Sequence, residues 1–125
     1  MSHRAPTRQD PAREDRIIND IVVDAYNEEE RPMGWYYYLE GRLHVPFPAT
    51  CRLKRTTSPL KVGDRVRVLG MAPEDDCMSE VHVLIEYADS ELAVPLDQLE
   101  CHSRHKATCE AVLDWHYWRA RGYEY

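Results

Sequence analysis

The sequence is short of basic charge. Against 22 Asp and Glu stand 16 Lys and Arg, leaving a formal net charge of −6. Phosphate backbones are bound by basic faces, so this deficit argues against nucleic acid as a main partner and leaves room for cations. Long apolar runs are missing too: none approaches the ~20 residues a membrane-spanning helix needs. The opening stretch "MSHRAPTRQDPARED" lacks the apolar core of a secretory signal. A cytoplasmic protein with no membrane partner is therefore expected, and its four cysteines (Cys51, Cys77, Cys101 and Cys109) are expected to be free thiols. Phe is scarce, with one copy against eight Tyr and three Trp, so most aromatic surface ends in a polar tip that wants a partner. Catalytic signatures are lacking: there is no G-x-S-x-G, no P-loop and no Cys–His nucleophile setting, and no enzyme is expected.

What is present fits one domain. A chain of 125 residues that is 43% apolar has enough material for a single core. Residues 1–12, with two Pro and no periodicity, are expected to be a disordered tail, and residues 13–125 one domain. From Ala12 the pattern is helical, with Ile17, Ile18, Ile21, Val22 and Ala25 on one stripe and Asp20 and Asp24 away from it. "YNEEERP" interrupts that stripe. Pro32 is tolerated only in a first turn, so a second helix should begin near Glu29–Pro32 and bury Trp35, Leu39 and Leu43.

Beyond Leu43 the pattern turns to strands. "HVPFPATCRLKR" carries Pro46 and Pro48, which predicts extended edge structure rather than a central strand. Val66 and Val68 alternate with Arg65 and Arg67 after a turn at Val62-Gly63-Asp64. Two further strands should join at Asp89-Ser90, with a short turn at "PLDQLE". The tail returns to helical spacing through Ala111, Val112 or Leu113, Trp115 and Trp118. The expected class is α+β: N-terminal helices packed on a small SH3-like antiparallel barrel, with a C-terminal helix. The blocks "GWYYYLE" and "LDWHYW" are expected to pack those helices onto the barrel, because a stacking surface for nucleic acid would need more interleaved Lys or Arg.

Three constellations carry possible chemistry. "MAPEDDCMSE" concentrates Glu74, Asp75, Asp76 and Glu80 between two strands. Hard cations such as calcium take six to eight oxygens, so such a loop offers several ligands at once; a solvated turn at a sheet edge explains the same residues. "VVDAYNEEER" places Asp24, Glu28, Glu29 and Glu30 across a helix break, where exposed carbonyls join carboxylates around an ion; charge complementing the next helix dipole is the plainer reading. Neither segment has the alternating acidic positions, fixed Gly and closing Glu of an EF-hand. "CHSRHKATC" brings Cys101, His102, His105 and Cys109 close in sequence, donors suited to zinc but without the paired-Cys knuckle of structural sites. A protein-interaction module, docking a basic partner on the acidic loop and exposed Tyr side chains, is the alternative to a metal-binding role.

Four blocks in order, "IVVDAYNEEERPMGWYYYLEGRLHVPFPATC", "SPLKVGDRVRVLGMAPEDDC", "LAVPLDQLE" and "LDWHYW", resemble the cyanobacterial calcium-binding protein family over residues 14–120. The resemblance implies a small cytoplasmic protein that holds calcium ions through carboxylates and backbone oxygens, without EF-hands, and so buffers the ion. Carried onto this chain, it points to Asp24, Glu28, Glu29, Glu40, Glu74, Asp75 and Asp76; Glu80 lies just beyond the matching block and is added on chemistry alone. Gly41 departs from the pattern, since family members tend to be acidic there, which implies a weaker site or one reliant on a backbone carbonyl.

Overall fold

The computed structural model describes residues 10–22, 31–77 and 79–122. Helix α1 spans Pro11–Ile17 and so begins inside the stretch expected to be a tail. Asp10 caps it, its side chain accepting from the Arg13 N–H, and Pro11 opens the first turn, where its missing N–H costs nothing. The chain continues as a π-helical turn, Ile18–Val22. Ile17 and Ile21 are buried, but Ile18, expected on the same stripe, is 42% exposed. One residue rotates about 100° around the axis, so Ile18 leaves the face that Ile17 and Ile21 share. Ala25 lies outside the described residues.

Helix α2 spans Arg31–Arg42, with Pro32 in its first turn and Trp35, Leu39 and Leu43 buried, as the sequence predicts. It crosses the π-turn very closely. A Cβ on Gly34 would fall 2.5 Å from the backbone oxygen of Ile21, so any larger residue forces the two segments apart.

Five antiparallel strands follow: β1 Phe47–Cys51, β2 Arg65–Met71, β3 His82–Tyr87, β4 Ser90–Pro95 and β5 Leu99–Cys101, in the spatial order β4-β3-β2-β1-β5. The end strands β4 and β5 do not pair with each other among the described residues, so the sheet is open. The prolines mislead about β1, which lies between β2 and β5 rather than at an edge. The reason is the shortness of β5, whose ladder covers only Ala49–Cys51. Pro48 stands at the end of that ladder: its ring nitrogen has no hydrogen to give, but its carbonyl accepts from the His102 N–H at 2.9 Å, one residue past β5. A bulge between Val68 and Gly70 bends β2. The β3–β4 hairpin turns at Ala88-Asp89, one residue earlier than expected, with both residues at positive φ (50° and 63°) as a two-residue primed turn requires.

A 3-10 turn, Leu96–Gln98, links β4 to β5, and helix α3, Lys106–Ala120, closes the chain. Trp35 of α2 meets Trp115 of α3 edge-on at 4.9 Å, and both belong to the same core as Val68, Ile85 and Leu96. The architecture is α+β, with a main core between helices and sheet and a smaller cluster of Tyr36, Ala72 and Cys77 beside it. Val112 faces that core while Leu113 is 48% exposed, which resolves the two choices left open by the helical spacing.

One buried carboxylate ties the helices together. Asp114 on α3 is 0% exposed and accepts from Arg13 Nη1 at 2.6 Å, from Arg16 Nη2, and from the Tyr38 hydroxyl at 2.6 Å. Burial, together with that hydrogen bond and the Asp114 charge, pushes the Tyr38 phenol up to about 12. A buried carboxylate of this kind is tolerable only with such partners.

Candidate metal centre

The acidic loop begins where β2 ends. Ala72 N–H donates to His82 O at 3.1 Å, pinching the loop at its base. Inside it, Glu74–Cys77 forms a single 3-10 turn, with Asp76 N–H on Pro73 O at 2.9 Å. Cys77 is buried and fills the loop's centre: its thiol lies 3.4 Å from His82 O, and the His82 N–H points back at the sulfur at 3.5 Å. With the apolar Ala72 and Cys77 turned inward against Tyr36, the intervening Glu74, Asp75 and Asp76 are left exposed.

Helix α2 stands over this turn. Tyr36 packs on Ala72 and Cys77, and its neighbour Tyr37, 57% exposed, donates its hydroxyl to Glu74 Oε1 at 3.3 Å. One turn along the helix, Glu40 is exposed too. The phenols register how these charges sit. The Tyr37 phenol is pushed above its ordinary value first by the Glu74 charge and its hydrogen bond, and further by Glu40. Burial raises that of Tyr36, and Glu40 and Glu74 again add to it. Burial likewise pushes the Cys77 thiol up, with Asp76 and Glu74 contributing. Carboxylates from two elements thus load one face with negative charge. Among the described residues, no Lys, Arg or His forms an ion pair with Glu40, Glu74, Asp75 or Asp76.

The expected ligand residues therefore fall into three groups. Glu40 and Glu74 both act on the Tyr36 and Tyr37 phenols, Asp76 joins Glu74 beside Cys77, and Asp75 is exposed on the same turn. Asp24, Glu28 and Glu29 lie outside the described residues, as does Glu30. Glu80 is elsewhere: it is 8% exposed, and its carboxylate takes Arg55 at 2.6 and 3.2 Å and Arg119 at 3.5 Å. Burial alone would raise the Glu80 carboxyl, but the Arg55 hydrogen bonds and the charges of Arg119 and Arg55 outweigh it and hold it below the usual range. No three His, Cys, Asp or Glu side chains among the described residues converge as a metal cluster. The four exposed carboxylates of α2 and the loop carry charge and several oxygens, and a full calcium shell needs further oxygens besides them.

The segment weighed for zinc spreads its donors. His102 Nε2 is 3.0 Å from Thr50 Oγ1, and the His105 ring stacks on His44 at 4.2 Å. Only Cys101 and Cys109 remain together. Sequence reasoning overlooked Tyr37 and Cys77 as parts of the site. The signal for Tyr37 was present: three consecutive tyrosines on a helix cannot all face the core, so one must look outward.

Fold and site together define a small α+β domain whose exposed loop and α2 carboxylates have no ion-pair partner among the described residues, a class suited to cation binding. The chain belongs to the CcbP-type family, whose family model, described as calcium binding, matches residues 15–119. It is similar to a crystal structure of Anabaena CcbP, with 39% identity and a TM-score of 0.84 over 98% of this chain and 100% of that one. It is equally similar to a calcium-binding protein in its calcium-binding form, 38% identical, with the same TM-score and coverage. None of the curated proteins compared matches the chain.

Proposed function

We propose that the protein binds calcium ions at a non-EF-hand site on the α2–loop face and buffers the ion. The ligand set comprises Glu40, Glu74, Asp75 and Asp76, completed by Asp24, Glu28 and Glu29 from the segment that leads into α2. Glu80 stands outside the set, because two arginines already neutralise its carboxylate. Support for the reading rests chiefly on one observation: Tyr37 of α2 donates to Glu74 of the loop at 3.3 Å, which sets the acidic turn against the helix that carries Glu40, and no ion pair reaches either carboxylate among the described residues.

The role is that of a binding protein, not an enzyme, with residues 13–125 acting as one domain. Free thiols on all four cysteines fit a reducing, cytoplasmic setting. The open sheet is read as SH3-like: a meander from β1 to β4, then a 3-10 turn that returns β5 to the far side of β1, supports that reading.

Calorimetric titration of metal-free protein tests the function. Calcium should bind in the micromolar to millimolar span open to carboxylate sites and should outcompete magnesium, which demands near-octahedral geometry and dehydrates reluctantly. Absence of heat at millimolar calcium would contradict the proposal.

A further inference from the structure

The turn between β5 and α3 holds chemistry that a calcium site leaves unused. Cys101 ends β5 and Cys109 lies near the start of α3, eight positions on. Their sulfurs stand 2.9 Å apart. That is about 0.9 Å short of a disulfide bond, so a small side-chain rotation closes the gap. Backbone groups of the same turn hold both sulfurs in place: Ser103 N–H donates to Cys101 Sγ at 3.4 Å, and Cys109 Sγ lies 3.5 Å from Ser103 O. Both residues are half-buried and line an opening with Arg52, Glu100, Val112 and His116, so a small reagent reaches them from solvent. Cys51 and Cys77, by contrast, are each 2% exposed. His102 and His105 are turned to other partners, which leaves the two sulfurs as a pair rather than half of a tetrahedral metal site.

We propose that Cys101 and Cys109 form a redox-active dithiol, oxidised by low-molecular-weight disulfides to an intramolecular disulfide. The Cys109 thiol loses its proton to solvent, and its sulfur attacks one sulfur of the reagent, expelling one thiolate and leaving a mixed disulfide on Cys109. Cys101 then loses its proton, attacks the Cys109 sulfur and expels the second thiolate. Two protein thiols are oxidised, one reagent disulfide is reduced to two thiols, and both protons end on the leaving groups or in solvent. The order follows from Cys101, whose thiol is pushed up to about 12 by burial and by its hydrogen bond with Cys109. It keeps its proton until the mixed disulfide is adjacent. Transient disulfides of this kind are the sort found in reducing compartments.

The test is titration of the full native chain with oxidised glutathione, read by intact mass and by tryptic digestion without reductant. Arg104 and Lys106 lie between the two cysteines, so trypsin separates them unless a disulfide joins the fragments. The expected result is loss of two hydrogens with no retained glutathione, and joined fragments that part on reduction. Cys101→Ser should stop at a glutathione adduct on Cys109. Should that variant fail to fold, the wild-type digest decides alone. Separate fragments, a lasting glutathione adduct on the wild-type chain, or a bridge through Cys51 or Cys77 would each overturn the proposal.

Discussion

Tyr37 and Tyr38 are neighbours on one helix, and each points its hydroxyl at a carboxylate, yet the two carboxylates live in different worlds. Tyr38 donates to Asp114, which is 0% exposed and held by two arginines. Tyr37 donates to Glu74, which is exposed and without a basic partner among the described residues, and Glu40 adds its charge at the same phenol. The same kind of hydrogen bond serves different ends because the countercharge differs. Where arginine supplies it, the carboxylate fastens α1, α2 and α3 into one unit. Where no described residue supplies it, mutual repulsion disfavours the empty face, and in the proposed function a cation from solvent relieves it. Glu80 shows that acidity in the sequence does not decide the matter. It sits in the same acidic stretch as Glu74 but belongs with Asp114, buried and paired.

The sharpest way to break this contrast is Asp114→Ala. Removing one member of a buried ion network strands the others, and the loss should be about 3–5 kcal/mol of stability, measured by denaturant unfolding. Calcium affinity of the folded variant should be retained. A variant as stable as the parent would mean that Asp114 is not the fastener.

Next in size is an acid effect on the same helix. Burial, and then the Arg52 charge, lower His116 to about 4. An unfolded histidine titrates near 6.5, so between about 6.5 and 4 the unfolded chain binds the extra proton. Stability should therefore be full above pH 6.5 and fall as pH drops towards 4, by on the order of 3 kcal/mol. His116→Gln should flatten that limb in urea titrations run at several pH values, and an unchanged slope would contradict the account. Glu80 reinforces the trend at lower pH: its folded carboxyl is depressed, so its contribution is present above the unfolded value and is lost as pH falls through the folded one.

Smallest in stability, but decisive for function, is Asp75→Asn combined with Asp76→Asn. Both side chains are exposed, so the fold should change by no more than about 0.5 kcal/mol. Calcium binding should weaken by at least roughly tenfold, about 1.4 kcal/mol, since the amides keep shape and lose charge. Equal affinity in calorimetry would return the loop to a solvated turn.

Local pattern carried much of the fold. Trp35, Leu39 and Leu43 at helical spacing marked the buried face of α2, and Val66 and Val68 against Arg65 and Arg67 marked β2. Each depends on neighbours along one element, which periodicity records. Distant partners are what the sequence did not disclose. Pro48 argued for an edge because its sequence does not disclose that it stands at the end of the β1–β5 ladder, where only its carbonyl bonds, to the His102 N–H. Glu80 was expected as a ligand, and the sequence does not disclose that Arg55, 25 positions away, reaches its carboxylate in the folded chain. Asp114 drew no notice, although a carboxylate set between Ala111, Trp115 and Trp118 on a buried helix face was the signal that it needed a cationic partner. The loop face itself was legible in Glu74, Asp75 and Asp76; its meeting with Glu40 and Tyr37 was not, since that requires α2 to stand over the turn.

The contrast between the two carboxylate environments is tested most directly by following backbone and side-chain NMR signals while calcium is added to metal-free protein. Glu40, Glu74, Asp75, Asp76 and the Tyr37 ring should shift first and saturate together, while Asp114 and Glu80 stay in place. Shifts centred on Asp114, on Glu80 or on the Cys101–Cys109 turn, with the α2–loop face unmoved, would contradict the account.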